Sequence, residues 1–379
     1  MAKIRRRSWK TPSGESREAW VADYRSQDGK RHIRTFETKK AADQWLVTAR
    51  HEVAQGIHTA PSASITVAQA TERWIEAGEA NGLERGSTRQ RRQHLKCHIA
   101  PNLGGTKLAE LTLPRVNRFL DALRDNGVST VMRRKVLTSV KSAISYAQGQ
   151  GWVAQNVARA ARVPADRRRE DKGPVRAGVD FPDKNQVNAL VNHVSPGRRA
   201  YLLALCFTGM RIGEIRGLRW SDVDLGKAVI HVRSRADAWG KSGAPKSAAG
   251  RRDIPMVPLL VTALKERRLR SSGEGLVFPN GAGNPEWHQD LDARWWRPLQ
   301  IAAGLVDEHG KALFGFHKVR HFAASLFIEH LHWTPKQIQR VMGHSSIQMT
   351  FDLYGHLFGD VEADRDDMAK LERAALRAM

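Results

Sequence analysis

Two short stretches of this chain, TGMRIGEIRGL (208–218) and FHKVRH through MGHSSIQMTFDLYGHL (316–357), carry Arg211, His317, Arg320, His344 and Tyr354. These residue types suit chemistry at a phosphodiester. As phosphorus passes through a pentavalent transition state, negative charge gathers on its non-bridging oxygens, and two guanidiniums, each a fork of donors, make a clamp for it. The histidines can donate hydrogen bonds to the same oxygens or move protons. A phenol four residues beyond Thr350 can then attack the phosphorus. Tyr354 lies in a mixed segment between Asp352 and His356, whereas Tyr24 lies on a hairpin, Tyr146 on an apolar helical face and Tyr201 in the apolar run YLLALCF. The competing reading of Tyr354 is a packed core aromatic. Its phenol, with a pKa of about 10 in water, is a weak nucleophile, so neighbouring cations must favour the phenolate, and the two arginines are expected to do so.

The elements that must position these groups can be read from spacing. Arg211 follows Gly209 and precedes a helical stretch, which would set its charge near helix-terminal amides facing a phosphate. The alternative is a surface ion pair with Glu214, a residue expected to hold the site's architecture rather than to react. His317 and Arg320, three apart, share a helical face. His321 adds an i, i+4 histidine that suggests zinc, but no acidic residue or cysteine completes a ligand set, and Asp222 and Asp224 fit a turn after Trp220. No metal or other cofactor is therefore expected, and His321 is expected to be structural. From Phe181 onward the pattern is mostly helical, interrupted by two strand candidates, VIHVRSR (229–235) and RRDIPM (251–256), with a Gly- and Ala-rich loop between them.

Composition narrows the partner. Sixty-two Lys plus Arg against thirty-nine Asp plus Glu leave a net charge of +23, which draws polyphosphate by steering and counterion release; the alternative is a basic solvated surface. At 379 residues the chain exceeds one usual core, so two or three domains are expected. Cys97 and Cys206 are the only cysteines, which suits a reducing compartment and excludes a disulfide framework. The basic start MAKIRRRSWKTPSG lacks the apolar stretch of a signal peptide, and YLLALCF is too short to span a bilayer. The expected location is a bacterial-type cytoplasm, on DNA and away from membranes.

Upstream of the chemistry, three zones separate. In residues 1–60, EAWVADYR and KRHIRTF alternate on either side of Asp28-Gly29, a hairpin signal, and a helix from about Lys39 to Gln55 places Ala42, Trp45, Leu46 and Ala49 on one face. The hairpin's other face is expected to show Arg25, Arg31 and Arg34. Such a unit can insert strands in a major groove, or serve as a packing appendage. After a linker of small residues at 61–64, residues 65–160 read as an all-helical domain. Its second helix carries Arg89, Arg92 and Lys96 and its fourth Arg133, Arg134 and Lys141, enough charge to line a duplex. The stretch 161–180 has mixed charge and little apolar content, as an exposed interdomain connection would.

At this point a family resemblance emerges. The C-terminal zone resembles the tyrosine recombinases, or phage-type integrases, whose pattern is Gly-x-Arg-x-x-Glu, a hairpin Lys, His-x-x-Arg, Gly-His and a Tyr about ten residues later. Here these are Gly209, Arg211 and Glu214; Lys246; His317 and Arg320; Gly343 and His344; and Tyr354. The match covers the catalytic half, 181–379, in order and spacing. Residues 65–160, with GWVAQNV near the end, resemble the family's core-binding domain, and 1–60 its arm-binding domain. The resemblance implies a multidomain, mainly α fold: a small N-terminal sheet with a helix, an all-helical core-binding domain, and a mostly helical catalytic domain with a small sheet.

The resemblance further implies a metal-free transesterification that leaves a 3′-phosphotyrosine and a free 5′-hydroxyl. Lys246, rather than nearby Lys241, would be the general acid for the departing oxygen. Implied partners are double-stranded DNA at core and probably arm sites, a homo-tetramer on that DNA coupled by the tail helix after Tyr354, an excisionase and a host DNA-bending protein. The implied activity is integration or excision of a phage or other mobile element. A type IB topoisomerase-like enzyme, or a DNA-binding regulator without activity, are the other readings.

Overall fold

The computed structural model describes residues 3–25, 29–54, 64–164, 175–245 and 247–354. The chain divides into two compact units, Met1–Asp171 and Lys172–Met379. Asp28, Lys246 and the tail beyond Tyr354 lie outside the described residues, as does half of the expected connection, 165–174. Residues 175–180, expected within it, instead form a turn of the second unit, where Arg176 N–H donates to the Asp180 carboxylate and Gly178 N–H to Phe181 O. No helix among the described residues is long and apolar enough to cross a membrane.

The first unit opens with three antiparallel strands in the order β1 (Lys3–Lys10), β2 (Ser16–Arg25) and β3 (Arg31–Phe36), backed by α1 (Lys39–Ala54). β1 pairs with β2 from Lys3↔Asp23 to Lys10↔Ser16, although its own sequence, KIRRRSWK, has almost no apolar alternation to announce it. Ala42, Leu46 and Ala49 of α1 are buried, Leu46 in one cluster with Ala22 and Tyr24, and the Trp45 ring lies 5.2 Å from that of Tyr24 and 5.5 Å from that of Phe36.

Strand pleating corrects one expectation. Arg25 and Arg31 are paired and share the open face with Lys3, Arg5 and Arg7, but Arg34 pairs with Ala22 and lies on the helix side. Its guanidinium sits 5.0 Å from the Trp45 ring centre. Residues 31 and 34 differ in parity, so a period of two cannot put both on one face.

The rest of the first unit is helical: α2 (Val67–Ala80), α3 (Arg85–His94), α4 (Leu113–Asp125) and α5 (Thr130–Gly149). Thr66 and Gln69 cap α2 reciprocally. α3 runs on through a π-helical stretch, Leu95–Gly104, whose wider turns accommodate Pro101. Val116, Phe119, Leu120 and Leu123 of α4 meet Val136, Val140 and Ile144 of α5 in one core, each set at helical spacing.

In the second unit, α6 (Lys184–His193) leads to α7 (Pro196–Thr208), in which Leu202 through Cys206 are all buried. A helix apolar all round must be surrounded. α8 (Ile212–Arg216), α9 (Pro258–Leu269) and α12 (Phe316–Glu329) contribute to that shell. Between α8 and α9 stand β4 (Val223–Asp224), β5 (Val229–Val232), β6 (Arg235–Ala236), β7 (Ser242–Gly243) and β8 (Arg252–Pro255). β4, β5 and β8 form one antiparallel sheet, with Val229↔Pro255 and Val232↔Arg252 in register, and β6 pairs with β7. α10 (His288–Leu291) and α11 (Arg297–Ala302) are joined by a π-helical turn, and α13 (Pro335–Met342) and α14 (Ile347–Tyr354) end the described chain.

Candidate active site

The C-terminal end of α13 is the point on which the site converges. A helix leaves its last carbonyls without internal partners, and its dipole makes them attractive to cations. Three successive carbonyls here each accept from a different arginine. Arg252 Nε donates to Val341 O at 2.5 Å, an Arg320 terminal nitrogen to Met342 O, and an Arg211 terminal nitrogen to Gly343 O at 2.7 Å. Three elements distant in sequence, the start of α8, strand β8 and helix α12, are thereby fixed to one turn.

Two glycines permit this approach. Gly209 (φ 63°) ends α7 in the left-handed region, accepts Arg320 on its carbonyl at 2.6 Å, and lies so near Met342 that a Cβ would stand 2.6 Å from its sulfur. Gly343 (φ 65°) caps α13, and a Cβ there would meet Ala249 O at 2.9 Å.

Glu214 is buried with its carboxylate between two guanidiniums. Arg252 donates to both of its oxygens at 3.1 and 2.8 Å, Arg211 donates through its side chain at 3.0 Å and through its backbone N–H at 2.9 Å. Burial alone would raise its pKa, but hydrogen bonding to Arg252 and the charges of both arginines outweigh it and hold the carboxyl below its ordinary value. Glu214 is therefore an ionised brace between the two arginines. Arg211 also makes the ion pair with Glu214 that is the alternative reading, and its own N–H at the start of α8 is taken by the same carboxylate.

Arg211 and Arg320 differ in access. The Arg211 side chain is 41% exposed, while Arg320 is only 3% exposed. Burial and the adjacent Arg211 charge lower the Arg320 pKa from its ordinary value, yet a guanidinium stays charged at neutral pH. Each guanidinium has five N–H donors, so the carbonyl contacts leave others for phosphate oxygens.

The three histidines around them are neutral at pH 7. His344, buried, has Nδ1 2.9 Å from the Thr350 hydroxyl, and burial together with Arg320 and Arg211 pushes its pKa down to about 3. His317 is lowered by burial and the same two arginines. His321, one turn beyond His317 with ring centres 5.0 Å apart, is pushed to about 4 by burial and by His317 and Arg320.

Tyr354 is the aromatic that sequence alone leaves divided between core and chemistry, and it has features of both. It is 1% exposed, packed in the apolar core, and its hydroxyl lies 2.5 Å from His321 Nδ1. Burial raises its pKa above the ordinary phenol value, and the opposing pull of Arg320 is the smaller effect. In this state the phenol is protonated and paired with a neutral imidazole.

Lys246 lies outside the described residues; its competitor Lys241 stands exposed in the β6–β7 turn, with its N–H on Asp237. Beside His344 and Arg252 opens a cavity of about 430 Å³, lined also by Arg251, Lys336, Gln339 and Arg340. Among the described residues no group of three His, Cys, Asp or Glu side chains is placed to hold a metal ion.

Residues 181–359 match the phage integrase family. A prophage phiRv2 integrase (putative) of Mycobacterium tuberculosis is 27% identical over 344 residues, covering 86% of each chain. The fold is similar to that of the Tn1549 transposon integrase in complex with a circular intermediate DNA (TM-score 0.64, 21% identity, 81% of this chain and 100% of that one). It is also similar to a lambda integrase tetramer bound to a Holliday junction (TM-score 0.55, 18% identity, 89% and 95% covered). Residues 181–359 thus carry a phage integrase domain.

Two residues in this cluster escaped the sequence reading. Arg252 looks no different from Arg251 in RRDIPM, but it shares the inward parity of Ile254 on β8, and that parity was the available signal. His321 was expected to be structural; it is the hydrogen-bond partner of Tyr354, and its position one helical turn from His317 was the signal.

The basic residues expected on DNA divide. Arg89, Lys96 and Arg134 are exposed, as are Arg25 and Arg31, although Arg31 is paired with Asp23. Arg92 bridges Glu72 and Glu79, and Arg133 donates to Thr130. Lys141 is a correction: its ammonium donates to Ala161 O at 2.7 Å and is spent inside the helical unit.

Proposed function

We propose that this chain is a site-specific recombinase that cuts and rejoins DNA through Tyr354, integrating or excising a mobile element. The observation that carries the reading is the gathering of Arg211, Arg320, His317, His344 and Tyr354 around the end of α13 by three-way arginine bonding. Arg211 and Arg320 grip the non-bridging oxygens of the scissile phosphate, and their charge matters most in the pentavalent state. His317 and His344, neutral, donate hydrogen bonds to the same oxygens. Tyr354 displaces the 5′ oxygen, which takes a proton from Lys246, and a 3′-phosphotyrosyl bond results. Rejoining is the reverse step, with no nucleotide cofactor, because the phosphodiester is exchanged rather than hydrolysed.

The integrases similar to this chain favour recombination over the topoisomerase-like alternative, and the solved ones are bound to DNA, one as a tetramer. In this reading residues 181–379, with the 175–180 turn attached to them, are the catalytic domain, 65–160 the core-binding domain, the residues between them the connection and 1–60 the arm-binding domain. The open sheet face with Lys3, Arg5, Arg7, Arg25 and Arg31 is the arm-site reader. Four protomers assemble on paired sites, the tail after Tyr354 coupling neighbours, with an excisionase and a host DNA-bending protein as accessory partners.

A nicked crossover-site duplex should trap a denaturant-resistant adduct in EDTA, and Tyr354→Phe should bind that duplex without forming it. An adduct undiminished in Tyr354→Phe ends the assignment of the nucleophile.

A further inference from the structure

We infer that His321 is the base that takes the phenolic proton of Tyr354 as the tyrosine attacks phosphorus. The inference rests on Tyr354 being the nucleophile and adds the one proton whose destination the scheme above leaves open.

The geometry is direct. His321 Nδ1 lies 2.5 Å from the Tyr354 hydroxyl, with the rings 5.7 Å apart and inclined at 59°. A hydrogen bond of that length already aligns donor and acceptor for transfer. A neutral imidazole carries one proton, so with it on Nε2 the Nδ1 lone pair receives the phenol.

The neighbouring groups are poorly suited to the task. Arg211 and Arg320 have no lone pair to offer. Both oxygens of Glu214 are bonded to Arg252 and Arg211. His344 directs Nδ1 to Thr350. His317 meets the edge of the His321 ring.

The charges facing His321 explain why it rests neutral. His317, Lys318 and Arg320 on α12 oppose its protonation together with burial, Asp180 favours it, and His344 and Tyr354 complete the surroundings. In the resting state it is too weak a base to ionise a buried phenol, so the nucleophile stays protonated until substrate is bound. A pentavalent phosphorane places negative charge beside the same cations, offsetting their repulsion of an imidazolium. The phenolic oxygen simultaneously becomes more acidic as its bond to phosphorus forms. The step balances: the O–H bond breaks as O–P forms, the proton passes to Nδ1, the P–O5′ bond breaks, and O5′ takes its proton from Lys246. In rejoining, the imidazolium returns the proton to the departing tyrosine.

The test uses the full chain on the nicked crossover-site duplex in single-turnover cleavage, with duplex affinity and thermal midpoint measured alongside. His321→Ala should slow adduct formation by about 10²-fold or more. His321→Asn, which can accept the phenol's hydrogen bond but not its proton, should bind DNA and melt like the parent while remaining comparably slow. Replacing the bridging O5′ by sulfur, which leaves without protonation, should not relieve either variant. Cleavage by His321→Asn at the parental rate would reduce His321 to a holder of the ring and overturn the proposal. Faster cleavage by His321→Ala would make it a latch, and rescue by sulfur would place it on the leaving-group side; either also overturns it. An adduct in Tyr354→Phe would instead sink the nucleophile assignment, whatever His321 does.

Discussion

On the N-terminal sheet, Arg5, Arg7 and Arg31 stand in solvent on an open face, where Asp23 pairs with Arg5 at 3.8 Å and also with Arg31. In the second unit, Arg252 and Arg320 are almost wholly enclosed and, with the more accessible Arg211, bonded to successive carbonyls of one helix end. The first arrangement supplies field: charges in high dielectric attract a polyanion over a distance and tolerate loose geometry. The second supplies position, because burying a guanidinium is costly unless it is bonded to fixed partners, and those bonds leave it little freedom to move. Removing an arginine should therefore cost affinity in one region and shape in the other.

The largest effect is expected at Arg252. Arg252→Met would leave Glu214 buried with Arg211 alone and free the Val341 carbonyl, and breaking such a pair costs about 3–5 kcal/mol. Adduct formation should fall by at least about 10²-fold, since both the clamp and the His344 turn lose a tie, while duplex affinity changes little. Calorimetric unfolding together with cleavage assays checks this. A variant that melts and cleaves like the parent would show that the buried pair does not position the site.

The contrast also accounts for what could be read from sequence. Arg211, His317, Arg320 and His344 stand out because their residue types follow a recognisable motif order, and α12 spacing puts two of them on one face. The helices of residues 67–149 are legible from apolar spacing, and β5 and β8 from their short apolar runs. β1 is not, because its residues are nearly all exposed and it is a strand only by pairing with β2. Arg252 and His321 were missed because their roles depend on contacts across 38 and 33 residues, and strand parity or helical spacing marks only the face each occupies, not its partner. Arg34 was assignable from parity alone and was misplaced by counting charges without faces.

Acidification should act on the second unit through its histidines. The His344 pKa is about 3 in the folded chain against an ordinary 6.5, and that of His321 about 4. A depressed value means the folded state resists protonation. The stability these rings contribute is complete above about pH 6.5 and is lost as pH falls toward their folded values. For buried His344 the loss at pH 5 is roughly 2 kcal/mol. In the first unit, His94 is also buried and lowered. Thermal unfolding followed at pH 7 and pH 5 by tryptophan fluorescence should show the drop, and His344→Gln should blunt it. An unchanged midpoint in the parent would mean these rings are already protonated or solvated.

The smallest effects belong to the open sheet. Arg5→Ala and Arg7→Ala each remove an exposed charge whose intramolecular pairing is weak, so folding stability should change by less than about 0.5 kcal/mol. Each should lower the slope of log affinity against log salt for arm-site DNA by about 1, because one phosphate contact and its released counterion are lost. Arg34→Ala should differ. Its guanidinium lies over Trp45 and Phe36 on the helix side, so losing it should loosen the packing of α1 while leaving the salt slope nearly intact. Fluorescence anisotropy across a salt series measures both. Equal slopes for all three variants would show that the open face is not what meets the DNA, and the division between field and position would then have to be drawn elsewhere in the first unit.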